Sequence, residues 1–198
     1  KMENRNLSEA VQYIFSSPDK TAWKTTTSHL FKIDILKIFW DLSEHKNVIE
    51  IGSAQGHSTG LLSRIFNKVL AIDINEDNCR LIKEKDLKNV VILQQDLYSP
   101  DAYEKFKSLG INFDIAFIDA LHTKEAVISD TNLAIKLGCK TIVYDDFGLC
   151  PEVKEAIKEI CSVNSPKNIR YIGLPPTCYI PSTNNKLLLD WEGVVLDY

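Results

Sequence analysis

Five aspartates in this 198-residue chain stand at or just past the ends of apolar runs, where a loop would begin. Asp73 follows Val69 to Ile72, Asp96 follows Val90 to Leu93, and Asp119 follows Phe113 to Ile118; Asp145 and Asp146 follow Thr141 to Tyr144. A carboxylate at a strand tip can accept hydrogen bonds from both hydroxyls of a ribose, which suits Asp73. Asp119, Asp145 and Asp146, if neighbours, would repel one another and raise one another's pKa unless a cation lay among them. Hard oxygen donors of this kind suit Mg²⁺. The alternative is that one or two of them only satisfy loop N–H groups. His122, three residues past Asp119, has an ordinary pKa near neutrality, which fits a general base taking a proton from a hydroxyl. It could equally be a loop histidine bonded to backbone.

These residues need a frame, and the stretch from Asn47 to Asp73 supplies its centre. A short apolar run (Val48, Ile49, Ile51) reads as a strand buried on both faces. It runs into Gly52-Ser53-Ala54-Gln55-Gly56, and Ser58-Thr59 open a helix burying Leu61, Leu62, Ile65 and Phe66. A second strand then stops at Asp73. Gly52 and Gly56 would let the backbone turn sharply and approach a ligand. Glu50 would repel a pyrophosphate, yet suits a cation such as the ammonium and sulfonium of S-adenosylmethionine. The spacing E-x-G-x-x-x-G departs from the dinucleotide pattern G-x-G-x-x-G. On these residues the chain resembles the class I S-adenosylmethionine-dependent methyltransferases, and the resemblance continues through most of its length.

That resemblance implies cofactor contacts at Glu50, Gly52, Ser53, Gly56, Ser58, Thr59, Asp73, Ile74, Asp96, Leu97 and Asp119. Asp96 would face the adenine amino group and the Leu97 N–H a ring nitrogen, although a turn-forming Asp reads the same way. The Asp119/Asp145/Asp146 trio resembles the metal-dependent O-methyltransferases of the catechol type, in which those positions hold Mg²⁺. Asp146 stands where the catechol enzymes carry an amide. The Asp-Asp pair with His122 is closer to the macrolide-sugar O-methyltransferases.

The remaining pattern alternates helices and strands. Helices are expected over 6–16 behind an Asn6 cap, with Leu7, Ala10, Val11, Ile14 and Phe15 at helical spacing; over 28–42, apolar nearly all round and so buried; and after Asn75, after Asp101, after Thr123 and from Pro151. Strands follow at 90–93, 113–118, 141–144, 170–174 and 193–197. The two strands of the 47–73 unit and those at 90–93, 113–118 and 141–144 alternate with helices and make a parallel sheet covered on both sides. The last two strands form the pair that closes it. The implied architecture is a Rossmann-like, doubly wound seven-stranded α/β sheet of order 3-2-1-4-5-7-6, its last pair antiparallel. Residues 1–45 would form a helical cap on the substrate side, and 46–198 the methyltransferase domain. The threonine-rich segment Lys20–Ser28, with Trp23, is a lid or only a connector.

Net charge is −4, with 44% hydrophobic and 25% charged residues, so no broad basic surface is expected and a nucleic-acid substrate is disfavoured. The five cysteines are odd in number and lack C-x-x-C spacing, which points to reduced thiols. No signal peptide and no apolar run of about 18 residues is visible, so a cytoplasmic protein that does not engage a membrane is expected. Homo-oligomerisation stays open. The expected function is Mg²⁺-assisted transfer of a methyl group from S-adenosylmethionine to a small-molecule hydroxyl, with His122 as base. An aminopropyl transferase of the polyamine-synthase kind and a non-catalytic S-adenosylmethionine-binding module are the alternatives.

Overall fold

A computed structural model describes residues 5–21, 26–42, 46–181 and 186–198. Trp23 and the middle of the Lys20–Ser28 segment lie outside these. The helices are α1 (Leu7–Ser16), α2 (His29–Phe39), α3 (His57–Ile65), α4 (Glu76–Glu84), α5 (Ala102–Ser108), α6 (Lys124–Lys136) and α7 (Pro151–Asn164). The strands are β1 (Asn47–Ile51), β2 (Lys68–Asp73), β3 (Val90–Gln94), β4 (Ile115–Ile118), β5 (Thr141–Tyr144), β6 (Asn168–Ile172), β7 (Tyr179–Ile180), β8 (Lys186–Leu187) and β9 (Gly193–Asp197).

Seven strands form one sheet in the order β3-β2-β1-β4-β5-β9-β6. The first five are mutually parallel, and β9 runs antiparallel to both β5 and β6. This is the expected order, with β9 as its seventh strand. A small β7–β8 hairpin, which the sequence pattern does not announce, accounts for the shift in numbering.

Side-chain alternation along the central strands feeds two cores. Val48, Val69, Ile115, Phe117 and Val143 meet α1, α2 and α3 on one face. Ile49, Ile51, Leu70, Ala116, Ile142 and Tyr144 meet α5, α6 and α7 on the other. Asn6, Ser28, Asn75 and Thr123 cap their helices through side-chain oxygens, each accepting a backbone N–H in the first turn. Two expectations shift. On α1 only Ala10 and Ile14 are buried, while Leu7, Val11 and Phe15 stay on the surface. Helix α2 is amphipathic rather than apolar all round, with Leu30 exposed and Phe31, Ile35, Leu36 and Phe39 buried. Among the described residues no helix is long and apolar enough to cross a membrane.

Candidate functional site

The carboxyl ends of β1, β2, β3 and β4 open onto a cavity of about 480 Å³. Its lining includes Gly52, Asp73, Ile74, Asp96, Leu97 and Asp119, six of the residues singled out from the sequence. Ala54, Gln95, Tyr98, Ala120 and Leu121 also line it and carried no sequence signal. Asp73 is held in place by the turn beside it: Oδ2 accepts the Ala54 N–H and Oδ1 the Asn75 N–H, both at 2.8 Å. Asp96 is exposed, and its Oδ1 accepts the Tyr98 N–H at 2.9 Å, the turn geometry open to an Asp at that position.

Glu50, Ser53, Gly56, Ser58 and Thr59 do not line this cavity. Glu50 shares the Val48 face of β1 and is fully buried beneath α3, where its Oε2 accepts a 2.5 Å hydrogen bond from Thr59 Oγ1. Burial pushes its carboxyl up to about 8, opposed by the Thr59 bond and reinforced by the charges of Asp119 and Asp73. Ser53 Oγ donates to the Ile72 carbonyl, as do the N–H groups of Gly52 and Ser53. The N–H groups of Gly52, Ser53 and Ala54 are therefore spent on β2, and that of Gly56 on the Ser53 carbonyl. The glycines, too, serve a different need from the expected one. A Cβ on Gly52 (φ +88°) would lie 2.2 Å from the Asp119 carbonyl oxygen, and one on Gly56 (φ +75°) 2.7 Å from Ile82. Protein backbone and side chain, rather than a ligand, demand the missing side chains.

Asp119, Asp145 and Asp146 do converge. One carboxylate oxygen from each lies within 4.8 Å of the others, at the tips of the adjacent strands β4 and β5. His122 joins them, with Nε2 3.3 Å from Asp119 Oδ1 and 3.2 Å from Asp146 Oδ2. Asp146 adopts a left-handed backbone (φ +58°), a conformation that costs a non-glycine residue about 1–3 kcal/mol. Its carbonyl accepts the Leu149 and Cys150 N–H groups, which hold that bend.

The residue missed by sequence reasoning is Lys20. Its Nζ donates to Asp145 Oδ1 and Oδ2 at 3.0 and 2.9 Å, and lies 2.8 Å from Asp146 Oδ1 and 3.6 Å from Glu192 Oε1. Alternation along β5 explains the meeting: Asp145 continues the Val143 face, the one that α1 and α2 cover. Burial disfavours the ammonium, but Asp145, Asp146, Glu192 and Asp119 outweigh it and hold its pKa well above the ordinary lysine range. Asp146 lies below the usual carboxylate range: burial works against it, and Lys20 and His122 prevail. Asp119 is raised, by burial first and by Asp146, despite the His122 bond. His122 is raised through its bond to Asp119, against its own burial.

The ligand types suit a divalent ion, but the space does not. Mg²⁺ bonds oxygen at about 2.1 Å. The Lys20 ammonium already takes both Asp145 oxygens and Asp146 Oδ1, and His122 Nε2 faces the remaining Asp146 oxygen. With Lys20 in this place the residues present do not fit Mg²⁺.

Residues 49–141 match a family described as a methyltransferase domain. This matched segment is just under half of the chain. It carries β1 to β4, the cavity and the first acid of the cluster. The whole domain has the Rossmann-like methyltransferase fold. The O-methyltransferase of Bacillus cereus, solved with SAH, superposes with a TM-score of 0.59 at 18% identity, covering 98% of this chain and 90% of that one. An rRNA methylase of Streptococcus thermophilus gives 0.56 at 15% identity, covering 83% and 92%. In sequence the chain is 30% identical over 160 residues to "Ribosomal RNA small subunit methyltransferase A" of Mycoplasma mycoides, covering 77% of this chain and 53% of that protein. The chain thus spans about half the length of that curated relative.

These relatives overturn one expectation. The exclusion of nucleic acid rested on a net charge of −4, and the small-molecule acceptor on the resemblance to the catechol and macrolide-sugar O-methyltransferases. A relative named for ribosomal RNA removes that exclusion. Net charge sums over the whole chain and says nothing of the potential beside the cleft.

Proposed function

We propose that the chain transfers the sulfonium methyl of S-adenosylmethionine to a hydroxyl of ribosomal RNA. The relatives' names supply the substrate class. The observation that carries the chemistry is the continuity between the cavity and the acid–histidine cluster: Asp119 lines the first and contacts His122 in the second.

In this reading Asp73 accepts the ribose hydroxyls through the lone pairs its backbone bonds leave free. Asp96 and the Leu97 N–H face the adenine, with Ile74 beside it. Glu50, with Thr59, acts from behind the Gly52–Gly56 turn, ionising when the cofactor's positive charge arrives. Ser53, Gly56 and Ser58 shape the turn and the start of α3. The surplus of carboxylates around Asp119 favours the sulfonium and orients His122. A hydroxyl is a poor nucleophile until its proton is taken. His122, its pKa raised by the bond to Asp119, is partly open to solvent and can take that proton whenever its ring is neutral. When bound, S-adenosylmethionine would supply the methyl for in-line transfer to the hydroxyl oxygen and leave as S-adenosylhomocysteine, and the proton would pass to His122 Nδ1, because Nε2 faces the Asp119 and Asp146 carboxylates. Since the donor is already activated, positioning supplies most of the acceleration. Residues 1–45 serve as the acceptor-side segment, and 46–198 as the transfer domain.

The test incubates the protein with ribosomal RNA and isotopically labelled S-adenosylmethionine, then identifies nucleosides by mass spectrometry. A 2′-O-methyl nucleoside is expected. A methylated base nitrogen would remove the hydroxyl assignment and leave the RNA assignment. Cofactor binding without label in RNA would remove both.

A further inference from the structure

Lys20 is an unusual residue to find where it is. A lysine is rarely fully buried, yet this one is 1% exposed and its Nζ faces three carboxylates from two distant parts of the chain. Its placement is built rather than incidental. The chain just ahead of it is pinned on three sides. Lys32, itself buried, donates to Ser17 Oγ and to the Pro18 carbonyl at 2.9 and 2.6 Å. His29 Nε2 meets the Ser17 carbonyl at 2.8 Å, and Asp19 accepts the His29 N–H. On the far side Glu192 is fixed by the Leu174 N–H and by the N–H and hydroxyl of Ser28. Each wall of the Lys20 site is thus held by bonds of its own.

We propose that the Lys20 ammonium is the resident cation of this acid cluster, standing where the three aspartates would otherwise call for a divalent ion. A fixed internal charge bridges Asp145 and Asp146 and so holds the bend at Asp146 that presents its other oxygen to His122. The site needs no exchangeable metal for that purpose, and it excludes one. Lys20 is here a positioning residue: it acts on the acceptor side through Asp146 and His122. The inference is independent of the RNA reading, because its test uses neither substrate nor turnover.

The test is titration of the full chain with Mn²⁺, followed by loss of the free-ion electron paramagnetic resonance signal. The wild-type protein is expected to show no saturable binding. Lys20→Met uncovers the three carboxylates and should bind Mn²⁺ at least about tenfold more tightly, since a unit charge a few ångströms away has been removed. Adding Asp145→Asn to that variant should abolish the gain. Circular dichroism and S-adenosylmethionine affinity show whether each variant is folded. Saturable binding to the wild-type protein that Asp146→Asn removes would overturn the proposal, and so would a folded Lys20→Met variant with no gain. If Lys20→Met does not fold, the wild-type titration with its Asp146→Asn control decides alone.

Discussion

Thr59 Oγ1 and Glu50 Oε2 are 2.5 Å apart in the sealed space between α3 and β1, a hydroxyl bonded to an acid that burial keeps protonated up to about pH 8. The folded protein therefore binds this proton more tightly than the unfolded chain does. Below about pH 4.5 both states are protonated and Glu50 is neutral to folding; as pH rises from there to about 8, ionisation in the unfolded chain alone erodes stability. Glu50→Gln keeps the shape without the titration. It should raise the melting temperature of the ligand-free protein at pH 7–8 and flatten its dependence on pH, while weakening S-adenosylmethionine binding. Melting curves across pH 4–9, with and without cofactor, check all three.

Asp73→Ala removes the acceptor proposed for the ribose, and also the carboxylate that fixes the Ala54 and Asn75 N–H groups. Loss of a charged hydrogen bond to the ligand is worth about 1.5–3 kcal/mol, roughly a ten- to hundredfold weaker affinity. Calorimetric titration with S-adenosylhomocysteine reads it. Unchanged affinity would end the ribose assignment.

His122→Ala should lower turnover by about 10²–10⁴ with little change in cofactor affinity. In the wild-type enzyme the rate should climb as pH rises through the raised pKa of His122 and then level off, because only the neutral ring accepts a proton. The variant should lack that limb. A variant that loses cofactor binding but keeps the pH limb would make His122 a binding residue.

Gly52→Ala should be among the most damaging small substitutions in the chain. The new methyl would meet the Asp119 carbonyl oxygen at 2.2 Å, and the positive φ disfavours it independently. Since β4 cannot retreat without breaking its register with β1, a loss exceeding roughly 2 kcal/mol is expected in urea denaturation.

The sheet was legible because its strands are short apolar runs ending in acids, and that pattern survives whatever the helices do. The caps at Asn6, Asn75 and Thr123 could be read for the same local reason. The β7–β8 hairpin could not: strands of two residues leave no periodicity to detect. The convergence of Asp119, Asp145 and Asp146 was readable from strand ends alone. Their cation was not, since Lys20 lies 125 positions from Asp145 and only the packing of α1 and α2 on one face of the sheet joins them. Glu50 was read as open to a ligand because a sequence shows residue type and spacing but not depth. Net charge misled about partners for a related reason: it is a total, and recognition is local.

Strand β9 lies between β5 and β6 and pairs with both, although it is made after either of them. Glu192, one residue ahead of it, is part of the wall around Lys20. A nascent chain therefore carries β5 with a bare edge and an unfinished acid cluster until residues 192–197 clear the ribosome. Any chain that stops before that point keeps an unpaired β5 edge, a surface prone to pairing with other chains.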